Sequence, residues 1–93
     1  MNNDEARTLL TRRLAEYRVL SYSELAALVD SETDHSEVLS GGVTYQLDVR
    51  VIWDGRSGGD VRVLGAVDDG GWRAFLPLTD SFIKAPDGSF VDE

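Results

Sequence analysis

From Val43 to Trp53 apolar and polar positions alternate. Val43, Tyr45, Leu47, Val49, Val51 and Trp53 fall on one side, and Thr44, Gln46, Asp48, Arg50 and Ile52 on the other. Successive side chains of a strand point to opposite faces, so a period of two marks a strand with one face buried. A second run, Val61-Arg62-Val63-Leu64-Gly65-Ala66-Val67, reaches Asp68-Asp69-Gly70-Gly71 and resumes at Trp72-Arg73-Ala74-Phe75-Leu76. Asp-Gly between two apolar runs is a strong short hairpin signal.

A two-residue type I′ loop at Asp69-Gly70 would fix the register. It predicts Val67 opposite Trp72, Gly65 opposite Ala74 and Val63 opposite Leu76 on the buried face. Ala66 would then face Arg73, and Leu64 would face Phe75, on the other side. The small pair Gly65 and Ala74 leaves room for a helix to approach closely, or for Trp72 to lie across the gap.

The first thirty residues read as two helices. Asn2 or Asn3 can cap the first, and Asp4 and Glu5 sit where the helix dipole favours negative charge. Ala6, Leu9, Leu10, Leu14 and Tyr17 recur at helical spacing and form one apolar stripe. Ser21-Tyr22-Ser23-Glu24 has the capping-box pattern, with Leu20 and Leu25 placed for a hydrophobic staple. Leu25, Leu28 and Val29 continue the second stripe. The predicted helices cover residues 4–18 and 22–30.

Residues 31–37 are polar and read as a linker or the start of an edge strand. Ser40-Gly41-Gly42 suits a tight turn into the long strand, and residues 54–60 form the loop between the two central strands. After Pro77 the pattern weakens. Residues 81–85 suit a short strand or a turn of helix, Ala85-Pro86-Asp87-Gly88 a type I turn, and Phe90 a return to the core. The expected fold is α+β and a single domain: two N-terminal helices packed on one face of a three- to four-stranded antiparallel meander spanning residues 36–85. The covered face would carry Tyr45, Leu47, Val49, Val51, Trp53, Val61, Val63, Val67, Trp72 and Leu76.

Several function classes lose support at this level. The chain has 93 residues and no cysteine, so neither a disulfide framework nor a thiolate metal site is available. No signal peptide or membrane-spanning apolar run is visible, which points to the cytoplasm. Seventeen acidic residues against nine basic ones give a formal charge of −8, which repels nucleic-acid phosphates and anionic lipid and attracts basic partners.

The single histidine, His35, lies in the polar 31–37 segment without a second histidine or a cysteine, and reads as a solvated side chain. Asp30-x-Glu32-x-Asp34 resembles the start of a calcium loop, but the required glycine is His35 and the bidentate glutamate is Gly41. Arg56-Ser57-Gly58-Gly59-Asp60 joins two strands, so it lacks the helix dipole and the lysine of a phosphate loop. No serine sits in a nucleophile elbow. A cation site would require Asp54, Asp60, Asp68 and Asp69 to converge. No catalytic, cofactor or metal-binding residue is assigned.

The second sheet face is more informative. It would carry Asp48 and Arg50, Ile52, Arg62, Leu64, Arg73 and Phe75, and arginine beside apolar and aromatic groups is the composition of binding hot spots. The alternative is that arginine stems cover the apolar groups and pair with neighbouring acids. Residues 68–79, together with 45–54, resemble small uncharacterised bacterial proteins of similar length with a DDGGWRAFLPLT segment. That resemblance covers most of the chain and implies no activity, cofactor or site. The reading that follows is a non-enzymatic protein-binding or regulatory module working through this face or a homodimer. The alternative is an acidic inhibitor or immunity-type protein that masks a basic partner. Neither reading involves nucleic acid, a membrane or a cofactor.

Overall fold

The computed structural model describes residues 1–71 and 76–93. The order of elements is α1 (Asn3–Arg18), α2 (Tyr22–Ala27), β1 (Asp34–Ser40), β2 (Val43–Trp53), β3 (Val61–Asp68) and β4 (Leu78–Lys84). The fold is α+β: one long helix, one short helix and a four-stranded antiparallel sheet in the order β1-β2-β3-β4. Among the described residues no helix is long and apolar enough to cross a membrane.

Local chemistry starts both helices. The Asn2 side chain accepts the Glu5 amide at 3.1 Å. Ser21 and Glu24 form the reciprocal capping box, at 3.1 and 3.0 Å. α2 is shorter than predicted, ending at the cap residue Leu28, where a turn closes from the Ser31 amide to the Leu28 carbonyl.

The core is the face predicted from alternation. Tyr45, Leu47, Val49, Val51, Val61, Val63 and Val67 are buried, and Trp53 is half-buried against them. Ala6, Leu10 and Leu14 of α1 and Leu25 of α2 complete this core, with Phe82 of β4. α1 rests on β3 and β4 and reaches β2.

The tight turn falls at Gly41-Gly42 rather than at Asp69-Gly70. Ser40 pairs with Val43 across two glycines with φ of 58° and 80°, the positive values that a type I′ turn demands at both central residues. Asp69 does not adopt positive φ. Its carboxylate instead accepts the Gly71 amide, and that of Asp68 accepts the Gly70 amide, forming local Asx-type bonds. The next described strand begins at Leu78.

The predicted hairpin register is therefore corrected. Val67 pairs with Leu78, Gly65 with Asp80, Val63 with Phe82 and Val61 with Lys84. Both sides of β3 are occupied, by β2 and β4. Leu76 is 62% exposed and not part of the buried face, because Phe82 takes the place opposite Val63. The expectations for Trp72, Arg73, Ala74 and Phe75 lie outside the described residues.

Residues 81–84 continue β4 rather than forming a helix turn, and Ala85 lies past its end. The turn at residues 85–88 closes with a 2.8 Å bond from the Gly88 amide to the Ala85 carbonyl. It returns Phe90 to the edge of β4, where its ring meets Phe82 edge-on at 5.7 Å.

Candidate interaction face

The strand register builds the face turned away from α1 row by row. Arg50 stands opposite Leu64, which stands opposite Ser81. Ile52 stands opposite Arg62, which stands opposite Ile83. The next row is His35, Asp48, Ala66 and Thr79. Four of the six predicted residues, Arg50, Ile52, Arg62 and Leu64, thus form two adjacent cross-strand pairs. Arg73 and Phe75 lie outside the described residues.

The two arginines have different surroundings. Arg62 donates from Nε to the Asp54 carboxylate at 3.0 Å and is half-buried, so it follows the alternative in which arginines pair with nearby acids. Arg50 is exposed and has no ion-pair partner among the described residues. Beside it lies an open depression of about 310 Å3, mostly apolar, lined by Thr33, Asp48, Arg50, Leu64, Ala66 and Thr79.

His35 was missed as a contributor to this face. It occupies the edge strand directly opposite Asp48, and its Nδ1 lies 2.6 Å from the Asp48 carboxylate. That hydrogen bond, with the charges of Asp48, Glu37 and Asp68, raises its pKa above the usual histidine value. The charge at Asp48 was visible in the sequence, but its pairing with β1 depends on the Gly41-Gly42 turn. Ile83 was also missed. Asp80 and Lys84 lie on the helix-facing side of β4 and blur its alternation.

The acidic groups do not gather. Asp34 accepts hydrogen bonds from Arg13 and Tyr17 of α1. Asp54 pairs with Arg62, and Asp69 lies 3.5 Å from the N-terminal amine. Asp60 precedes β3 and Asp68 ends it, so these two residues are roughly 26 Å apart along an eight-residue strand. Among the described residues no three His, Cys, Asp or Glu side chains converge on a point that would hold a metal.

The face thus offers a cation, a flat apolar strip and an imidazole–carboxylate pair. These groups suit recognition of another surface. No protein-family model matches the chain, and no curated protein or solved structure does so either.

Proposed function

We propose that the protein is a non-enzymatic binding module in which both helices cover one sheet face and the other face meets a protein partner. The observation that carries this reading is Arg50. It is exposed without an ion-pair partner among the described residues, beside Leu64 and Ile52, while Arg62 is already occupied by Asp54. A cation held beside apolar area in this way supplies both charge complementarity and desolvation to a contact. The partner would present a carboxylate flanked by apolar side chains.

Parallel affinity capture with the wild type and Arg50→Glu tests this reading. A partner retained by the wild type and lost with Arg50→Glu, at unchanged melting temperature, supports it. Equal capture by both proteins removes the face from consideration. The formal charge of −8 favours a second reading, an acidic inhibitor of a basic protein. That reading is selected if capture survives Arg50→Glu but collapses as salt rises, since screening weakens long-range attraction.

A further inference from the structure

The two edges of the sheet are finished differently. At β4 the chain returns: Phe90 bridges to Lys84, and the Val91 amide donates to the Ile83 carbonyl at 2.9 Å. At β1 no backbone hydrogen bond from the described residues reaches the outer side of its seven residues. On the inner side β1 is tied to α1 through the bonds of Asp34 to Arg13 and Tyr17, which leaves its outer edge free of that contact. A bare strand edge of this length is a template for a further strand.

We propose that the outer edge of β1 is a homodimer seam. Two copies pair β1 antiparallel about a two-fold axis through Ser36, with His35 of each copy opposite the partner's Glu37.

Charge complementarity selects both the occupant and the register. Residues directly opposite in an antiparallel pair share a face, so the axis must pass through a residue. An axis at Glu37 sets two carboxylates against each other, which is destabilising. An axis at His35 opposes two imidazoles, and one at Val38 sets each Glu37 against the partner's Leu39. Of these axes, only the one at Ser36 sets each imidazole against a partner carboxylate, and it places a small side chain at the centre.

The histidine is already oriented for this contact. Its Nδ1 is bonded to Asp48 on β2, which leaves Nε2 to meet a second carboxylate. Nε2 lies 4.0 Å from the chain's own Glu37 carboxylate. Because the axis stands perpendicular to the sheet, both Arg50 faces would lie on the same side of an eight-stranded sheet. The seam itself does not depend on the binding role proposed for that face.

The chain has no cysteine, so the register can be read by cross-linking. Ser36→Cys sits on the proposed axis, where opposite Cα atoms are about 4.5–5.5 Å apart and within disulfide reach. Under mild oxidation it should form a covalent dimer rapidly, while Val38→Cys, displaced from its own copy across the axis, should not. Light scattering should show the wild type moving toward twice its 10.2 kDa mass as concentration rises to about 1 mM.

Glu37→Lys alone and His35→Glu alone should each be monomeric. Their equimolar mixture should recover a 1:1 dimer, since both contacts then join opposite charges. Monomeric wild type at the highest concentration overturns the proposal. So does a dimer that cross-links through Val38→Cys, or one that fails to cross-link through Ser36→Cys.

Discussion

Gly65 of β3 lies against Leu10 of α1 so closely that a Cβ on the glycine would stand 2.7 Å from Leu10 Cδ1 and 3.0 Å from Leu14 Cδ2. Both leucines are almost fully buried, so neither has free space to turn into. The absent side chain is what lets the helix rest on the sheet. Gly65→Ala is expected to destabilise the fold by about 1–3 kcal/mol through overpacking, and Gly65→Val by more. Urea unfolding measures this directly; an unchanged midpoint for Gly65→Ala would show that the helix does not sit there.

Lys84, the only lysine, is buried, and its Nζ donates to the Leu20 carbonyl at 2.7 Å just beyond the end of α1. That carbonyl lies between the C-cap Val19 of α1 and the N-cap Ser21 of α2, so the ammonium ties the junction of the two helices to β4. The ammonium also lies 5.1 Å from the centre of the Phe90 ring. Lys84→Met keeps most of the volume but orphans the carbonyl, and should cost about 1–3 kcal/mol in thermal or chemical unfolding. A melting temperature equal to that of the wild type would show that the hydrogen bond contributes nothing net.

The His35–Asp48 pair has a defined pH signature. Its folded-state pKa is raised above the ordinary 6.5, first by the hydrogen bond to Asp48. The stabilisation is therefore fully present below pH 6.5 and is lost as pH rises through the folded value. An NMR titration of the imidazole should give a pKa above 6.5 that falls in Asp48→Asn. A value at or below 6.5 in the wild type would mean the pair does not form in solution.

Tyr17 should titrate late. Burial first, and then its hydrogen bond to Asp34, push its hydroxyl up from 10 to about 12. The neutral phenol is the form the fold favours, so this contribution is complete below pH 10 and disappears between there and about pH 12. In an ultraviolet titration of the three tyrosines, Asp34→Asn should bring one transition part of the way down, since burial persists. Three transitions that do not respond to Asp34→Asn would contradict the tie between α1 and β1.

The candidate face was legible only where strand periodicity held. Arg50, Ile52, Arg62 and Leu64 share a face because β2 and β3 alternate, and any antiparallel pairing with matched inner faces brings them together. That Arg62 reaches Asp54 while Arg50 pairs with no acid among the described residues was not legible. It depends on the 54–60 loop closing through the Asp54 amide on the Asp60 carbonyl, which sets the carboxylate beside Arg62. The β3–β4 register was misread because the Asp-Gly signal is local. The Asp68 and Asp69 carboxylates bond the following glycine amides instead of closing a two-residue turn.

The sequence alone determined which residues face inward on β2 and β3, where both helices begin, and that Gly41-Gly42 turns the chain. Each of these rests on interactions spanning four residues or fewer, or on the fixed alternation of a strand. Tertiary structure decided that Leu78–Lys84 pairs with β3, that Lys84 is buried under the end of α1, that His35 meets Asp48, and that Gly65 lies beneath Leu10 and Leu14. Those outcomes depend on contacts between residues 11 to 64 positions apart, where shape, volume and charge across the whole core select among pairings that local pattern leaves equal.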